Sequence, residues 1–125
     1  MIRRPEPEAA SAPSVLSKAV VRAAEQLGVK QTQLARILGL SPSTASRLAA
    51  GSWQLAAESK SWELALIFVR LYRDLSAITG GESRSMREWL NSGNDALGAP
   101  PLERMLSAEG LVSVLQYLDA ARGRL

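Results

Sequence analysis

The chain contains neither cysteine nor histidine among its 125 residues. Without cysteine it forms no disulfides and performs no thiol chemistry. The absence of both residue types excludes zinc sites and the common nucleophile–base pairs of enzymes. An enzyme would have to depend on carboxylates, lysine or hydroxyl groups alone. We therefore expect a protein that is not an enzyme and that holds no metal and no cofactor.

Long hydrophobic runs are also absent. No stretch reaches the roughly 18 apolar residues that a membrane-spanning helix needs. The amino-terminal segment MIRRPEPEAASAPS lacks the apolar centre of a signal peptide. These absences predict a cytoplasmic protein that does not enter a membrane. The length fits one domain, or two small helical halves that share a core.

Charge is unevenly distributed along the chain. Of the net charge of +3, residues 1–52 carry +4 and residues 53–125 carry −1. A basic amino-terminal half suits contact with phosphate groups. A charge of this size is also ordinary for a segment of this length, so it decides nothing without a motif.

The apolar residues recur at helical spacing and no alternating strand pattern occurs, so we predict an all-α fold. Residues 1–13, rich in proline, alanine and charge, are predicted to be a disordered arm. Arg3 and Arg4 in this arm either contact DNA or lie in solvent. We assign residues 14–57 to a helical bundle with its first helix at 14–27, residues 58–81 to a long central helix, and residues 82–125 to a small helical domain.

Residues 31–50, QTQLARILGLSPSTASRLAA, predict a helix, a tight turn and a second helix. Gly39 stands where the chain leaves the first helix in a left-handed turn. Ser41 is placed to cap the second helix, and Pro42 suits its first turn. Leucines supply the apolar seam between the helices. An ordinary helical hairpin inside a bundle would have the same features.

This segment resembles the helix-turn-helix of Xre/Cro-type repressors, whose second helix enters the major groove. The resemblance implies DNA binding through short polar side chains and one guanidinium. Arg47 is the first candidate, because Leu48 beside it faces inward. The full set of predicted DNA-binding residues is Gln31, Gln33, Ser41, Ser43, Thr44, Ser46 and Arg47.

The predicted central helix, residues 58–78, is apolar on all sides over residues 64–69. A surface helix normally has one apolar stripe, so this one needs cover on more than one side. We predict a homodimer in which it contributes Leu64, Ile67, Phe68 and Leu71. The alternative is a helix wrapped completely within one monomer.

Past Gly80 and Gly81 the chain predicts short helices at 84–90 and 102–106, a capped turn at 94–98, and a last helix at 108–121. The run Trp89-Leu90, Asn94, Leu97-Gly98, Pro101-Leu102, Met105-Leu106, Gly110 and Val114 resembles the toxin-binding domain of Xre/MbcA/ParS-type antitoxins. The two resemblances cover about residues 14–122, in the order in which that family has its two domains.

The resemblance implies an antitoxin of a type II toxin–antitoxin system. Its partner toxin would carry a RES domain, related in fold to ADP-ribosyltransferases, that degrades NAD⁺. The carboxyl-terminal domain would block the toxin's NAD⁺ site, and the amino-terminal domain would bind the operator DNA of its own promoter. The predicted toxin-binding residues are Trp89, Asn91, Asn94, Leu97, Arg122 and Arg124.

Each of these residues also has a structural interpretation. Trp89 suits a core anchor, the asparagines suit turns, and Arg122 and Arg124 suit the dipole at the end of the last helix. Two other functions also remain open. The chain could be a helix-turn-helix transcriptional regulator without a toxin partner, or an interaction module whose helix-turn-helix no longer binds DNA.

Overall fold

The computed structural model describes residues 11–123, which fold into seven α-helices without a β-strand. The all-α prediction is confirmed, with the helix-turn-helix in the amino-terminal half. The helices are α1 Ala12–Leu27, α2 Gln31–Leu38, α3 Pro42–Ala50, α4 Lys60–Thr79, α5 Ser83–Asn91, α6 Pro101–Arg104 and α7 Ala108–Ala121.

Serine side chains cap four of the helix starts. The hydroxyl oxygens of Ser11, Ser41, Ser59 and Ser107 each accept a hydrogen bond from the backbone N–H three residues later, at 3.1 to 3.2 Å. These bonds satisfy amide groups that the first helical turn leaves without a partner. The predicted caps at Ser41 and Ser107 are thereby confirmed.

Several predicted boundaries move by one or two residues. Helix α1 begins at Ala12 rather than at residue 14, because Ser11 caps it. Residues 11–13 therefore do not belong to a disordered arm, and residues 1–10, with Arg3 and Arg4, lie outside the described residues. Helix α4 begins at Lys60 rather than at residue 58, since Glu58 has a φ of 66° and Ser59 is the cap.

One hydrophobic core joins both halves of the chain. Helix α4 lies at its centre and packs against α1, α2, α5 and α7, and α1 also packs against α5. Leu27, Phe68, Leu75, Met86 and Leu111, from four helices of this cluster, have 0 to 1% of their surface exposed. The predicted DNA-binding and toxin-binding segments are therefore parts of one packed unit.

The central helix is largely covered within the chain. Phe68 and Leu71 have no exposed surface, while Leu64 and Ile67 are half-buried. Two of the four predicted dimer residues thus lie in the chain's own core, as expected for the alternative of a helix wrapped within one monomer. Leu66, which we did not select, is 50% exposed.

The start of α7 is packed against α6 so closely that only glycine fits at position 110. A Cβ atom at Gly110 would lie 1.8 Å from the carbonyl oxygen of Arg104. This close approach lets the short helix α6 turn directly into α7, with Ser107 between them. The packing explains why the carboxyl-terminal pattern includes a glycine inside the first turn of its last helix.

Candidate nucleic-acid and partner interfaces

The turn between α2 and α3 sets the two helices across each other. Gly39 has a φ of 69°, in the left-handed region that favours glycine, and ends α2. Ala45 and Leu48 on the inner side of α3 are 0% and 2% exposed. Because these two residues hold α3 against α2, the opposite side of α3 faces outward.

The outward side of α3 carries hydroxyl groups and one guanidinium. Ser43, Ser46 and Arg47 are exposed, and Thr44 is half-buried. The hydroxyl of Ser41 donates to the Thr44 hydroxyl at 2.9 Å, and Nη2 of Arg47 donates to the same Thr44 oxygen at 3.3 Å. Ser41 and Thr44 therefore shape the start of the helix and orient Arg47, whereas Ser43, Ser46 and Arg47 present donors and acceptors outward.

The start of α2 carries a second group of polar side chains, beside those on α3. Gln31 is exposed, while the Oε1 atom of Gln33 accepts a hydrogen bond from the backbone N–H of Lys30 at 2.9 Å. Gln33 thus has a capping role that we did not predict. Lys30 is an exposed cation beside Gln31, and our sequence interpretation overlooked it. Its position immediately before α2 was the available signal, because helix starts are common contacts for phosphate.

An aromatic pair marks the surface of the carboxyl-terminal half. The rings of Trp89 on α5 and Tyr117 on α7 are stacked, with centroids 6.1 Å apart and planes at 26°. Trp89 is half-buried and Tyr117 is 39% exposed. Trp89 is therefore both a packing residue and part of an accessible surface. Tyr117 was missed, since we assigned only the inward residues of α7.

Asn94 forms a turn, as its structural interpretation predicts, whereas Asn91 is the last residue of α5. Nδ2 of Asn91 donates to the carbonyl oxygen of Arg87 at 2.8 Å, and Oδ1 of Asn94 accepts from the backbone N–H of Leu97 at 3.1 Å. Asn91 is exposed, and Asn94 and Leu97 are half-buried. These two bonds shape the segment that leads from α5 into α6.

The guanidinium of Arg122 points toward the buried side chain of Asp74 and forms an ion pair with it. Its Nη1 atom donates to Oδ1 of Asp74 at 2.7 Å, and the side chain of Asp74 is 0% exposed. Arg70 and Asp119 form a second ion pair, at 2.5 Å. Both pairs join α4 to α7. This changes the role that we predicted for Arg122, because its guanidinium positions the end of α7. Arg124 lies outside the described residues.

The two carboxyl groups in this cluster influence each other. A hydrogen bond with the side chain of Asp74 raises the pKa of Asp119, as do burial and the negative charge of Asp74, while Arg70 opposes the rise. The protonated form of Asp119 is therefore favoured relative to an ordinary aspartate. The cluster contains two carboxyl groups and two guanidinium groups, so it is balanced in formal charge.

Helix α5 caps the end of α1. Nη2 of Arg87 donates to the carbonyl oxygen of Glu25 at 2.7 Å, and the Ser83 hydroxyl donates to the carbonyl oxygen of Gln26 at 2.5 Å. These bonds use carbonyls that a helix end leaves without an intrahelical partner. The carboxyl-terminal half is thereby attached directly to the first helix of the DNA-binding half.

Two known family models match the chain in succession. The antitoxin Xre-like helix-turn-helix domain matches residues 6–70, and the antitoxin Xre/MbcA/ParS C-terminal toxin-binding domain matches residues 74–124. A search of curated proteins found no match. The boundary between the two matches falls inside α4, the helix that both halves share.

Residues 11–123 contain neither a candidate metal site nor a membrane-spanning helix. This part of the chain has no group of three or more acidic side chains arranged to hold a metal ion. None of its helices is both long enough and apolar enough to cross a membrane.

Proposed function

Because this chain belongs to the Xre-type antitoxins, we propose that it inhibits one particular class of toxin, a RES-domain enzyme that degrades NAD⁺, and represses its own operon. The chain has a DNA-binding and a toxin-binding domain, as an antitoxin requires. The choice of a RES-domain enzyme is supported by the family's pairing with such toxins. In this proposal the carboxyl-terminal half blocks the toxin's NAD⁺ site in the cytoplasm.

For the DNA contact, we assign base reading to Ser43, Ser46 and Arg47, which face outward from α3. An arginine suits guanine, and a serine hydroxyl can donate or accept. Gln31 and Lys30 at the start of α2 are assigned to phosphate. Ser41, Thr44 and Gln33 act indirectly, because their hydrogen bonds set the position of the two helices.

For the toxin contact, the observation that supports the proposal best is the stacked pair Trp89 and Tyr117. It lies within the matched toxin-binding domain and combines accessible aromatic surface with a hydroxyl group. Tryptophan and tyrosine supply a large share of the energy of many protein interfaces. Asn91 lines a separate pocket with Pro100 and Leu102, and Asn91, Leu97 and Arg124 stay predicted contacts. Arg122 acts by holding α7 on α4.

We further propose a homodimer. A helix-turn-helix protein that reads two half-sites needs two recognition helices, about 34–36 Å apart for adjacent turns of DNA. One chain supplies a single such helix, α3, so a second copy would supply the other. A two-fold symmetric operator would match this arrangement.

Enzyme inhibition with purified proteins tests the proposal. The protein encoded beside this chain would be incubated with NAD⁺, and the loss of NAD⁺ measured as the chain is added. We expect inhibition that is complete near a fixed molar ratio, because tight inhibitors titrate their enzyme. The Arg47→Ala variant serves as a control that should inhibit equally well. A neighbour whose NAD⁺ consumption the chain does not change would contradict the proposal and favour a transcriptional regulator without this toxin.

A further inference from the structure

A cavity of about 480 Å³ lies between α1 and the end of α3. Its walls come from α1, from the last turn of α3 and from the connector that follows α3. The volume suits a small organic molecule, since ligand sites usually enclose about 300–1,000 Å³. None of the residues that we assign to DNA or to the toxin lines this cavity. The proposed function therefore leaves it unused.

The connector wall of the cavity is anchored at both ends. The hydroxyl oxygen of Ser17, a residue 6% exposed, accepts a hydrogen bond from the backbone N–H of Leu55 at 2.9 Å. At the other end, the backbone N–H of Ser52 donates to the carbonyl oxygen of Arg47 at 3.0 Å. These two bonds fix the segment that carries Trp53, so the cavity is a formed part of the fold.

Trp53 supplies an aromatic wall. Its side chain is half-buried and packs against the core, and it also lines the cavity. Val21 and Leu48 add apolar surface on the two neighbouring helices. A tryptophan ring at such a position favours a planar partner, because stacking of a base on an aromatic side chain contributes about 1–3 kcal/mol. The wall therefore selects a ligand that contains a flat ring.

Two cationic side chains border the cavity on α1. Lys18 and Arg22 are exposed and lie four residues apart, on one face of the helix. Neither forms an ion pair within residues 11–123. Like charges at this spacing slightly destabilise a helix, so the pair does not serve the stability of α1. Glu25 is the single carboxylate of the lining, which leaves a net positive border suited to an anion.

Operator DNA is a poorer fit to the whole cavity. Its backbone would offer phosphate to Lys18 and Arg22, but the bases of a duplex are stacked on one another and would leave Trp53 without a partner. A small molecule that carries both a ring and an anionic group uses both parts of the lining.

We propose that this cavity binds a small aromatic anion, whose ring stacks on Trp53 and whose phosphate or carboxylate is held by Lys18 and Arg22. A nucleoside monophosphate has this chemistry with a phosphate, and an aromatic acid has it with a carboxylate. The site does not depend on the identity of the toxin.

Such a ligand would regulate DNA binding, because the last turn of α3 is one wall of its site. Ala49 and Ala50 line the cavity, and Arg47 lies one turn before Ala50 on the same helix. A bound anion adds negative charge beside the helix that faces the phosphates of DNA, so it lowers the affinity for the operator. By linkage, the operator lowers the affinity for the ligand by the same factor.

Isothermal titration calorimetry of the full chain with four probes tests the ligand class. AMP and naphthoate combine a ring with an anion, whereas adenosine lacks the anion and inorganic phosphate lacks the ring. At least one of the first two should bind at least about tenfold more tightly than adenosine and phosphate, a difference of about 1.4 kcal/mol. The better of the two identifies the anionic group. Affinities of AMP and naphthoate no higher than those of the two partial probes would overturn the inference.

Tryptophan fluorescence tests the place of binding. The better probe should quench the wild-type protein and Trp62→Phe, but should quench Trp53→Phe much less. Trp62→Phe is the matched control, because Trp62 lies on α4 and lines a different groove. Circular dichroism should show both variants folded. Quenching that Trp53→Phe retains and Trp62→Phe loses would place the ligand in the other groove and overturn the assigned site.

Charge variants test the anion contact. Lys18→Gln and Arg22→Gln should each weaken the better probe several-fold, and Glu25→Gln should strengthen it, since a negative charge beside the anion is removed. Arg36→Gln is the control, because Arg36 is an exposed arginine on α2 outside the cavity lining. Equal affinities of Arg22→Gln, Lys18→Gln and Arg36→Gln would overturn the role of the two cations.

Fluorescence anisotropy with promoter DNA tests the regulation. A saturating concentration of the better probe should weaken DNA binding of the wild type several-fold and leave that of Trp53→Phe less affected. DNA affinity that the bound probe leaves unchanged would overturn the regulatory role while the site stands. Lys18→Gln and Arg22→Gln proteins that lose DNA affinity without any probe, and bind the probe as the wild type does, would assign these cations to the operator backbone and overturn the site.

Discussion

At the scale of single residues, Arg47, the proposed base-reading side chain, is held in position by a neighbour. Its guanidinium is exposed and donates a hydrogen bond to the Thr44 hydroxyl. Thr44 is in turn fixed by Ser41, the cap of α3. The side chains of Ser41 and Thr44 therefore help to hold Arg47 in place on the exposed side of α3.

We expect Arg47→Ala to weaken operator binding by about 1–3 kcal/mol, the usual value of an arginine that reads a base. Fluorescence anisotropy with promoter DNA at constant salt concentration would measure the change. Arg84→Ala is the matched control, because Arg84 is an exposed arginine on α5, with 84% of its side chain accessible. Equal affinities of the Arg47→Ala and Arg84→Ala proteins would remove Arg47 from the DNA contacts.

Tyr117, which stacks on Trp89, is the residue of this pair that was least visible in the sequence. Its neighbour Leu118 follows the inward spacing of α7, and nothing in the pattern connects Tyr117 with Trp89, 28 positions earlier. Only the packing of α5 beside α7 brings the two rings together. The pairing of distant side chains is a tertiary property, and helical periodicity does not contain it.

Tyr117→Ala should weaken toxin binding by about 2 kcal/mol or more if the aromatic pair is central to the interface. Isothermal titration calorimetry with the toxin would give the value. Val112→Ala is a suitable control, since Val112 is another exposed apolar residue of α7, at 37%. Thermal unfolding of the free variants would show that both remain folded. A Tyr117→Ala protein that binds as tightly as the control would place the toxin surface elsewhere.

At the scale of helices, signals between neighbouring residues predicted most of the helix positions and caps. Gly39, Ser41 and Pro42 act within one turn, so their consequences can be inferred from neighbours in the sequence. The start of α1 was misplaced because the Ser11 cap lies inside a segment whose composition resembles a disordered arm. The bonds from Arg87 to α1 and from Arg122 to Asp74 join residues 48 to 62 positions apart, and no local pattern predicts them.

The junction of α4 with α7 should respond to pH in a defined direction. The folded chain raises the pKa of Asp119, chiefly through its hydrogen bond with Asp74, so the folded state retains this proton at a pH where the unfolded state releases it. This group therefore lowers the free energy of unfolding as pH rises from the ordinary aspartate pKa, about 3.9, through the raised value.

Asp119→Asn removes this titration while retaining a polar side chain beside Asp74. We expect the stability of the variant relative to wild type to increase as pH rises from about 4 through the raised pKa of Asp119. Urea unfolding of both proteins at several pH values would give the difference in their free energies of unfolding. Most contributions from other carboxyl groups are the same in both proteins and therefore cancel in this difference. A difference that stays constant or decreases over that interval would contradict the assigned shift.

At the scale of the whole molecule, the DNA-binding and toxin-binding halves share one core. Phe68 and Leu71 lie in this core, and α4 packs against both α1 and α7. Arg87 and Ser83 add bonds from α5 to the end of α1. Removing residues 82–125 would therefore uncover core residues of the DNA-binding half. Point variants are better suited than truncation for assigning the two activities.

This shared core predicts a single cooperative unfolding transition. Differential scanning calorimetry should give a van't Hoff enthalpy close to the calorimetric enthalpy, after allowance for dimer dissociation. Two separate transitions, one for each half, would show that the halves fold independently and that the core between them contributes little.

The central claim is that this antitoxin protects the cell against a RES-domain toxin that consumes NAD⁺. The most direct measurement is intracellular NAD⁺ in cells that express the neighbouring reading frame, with and without this chain. We predict that NAD⁺ falls when the neighbour is expressed alone and is restored when wild type or Arg47→Ala is also expressed, while Tyr117→Ala restores less. An NAD⁺ level that the neighbour leaves unchanged would contradict the claim.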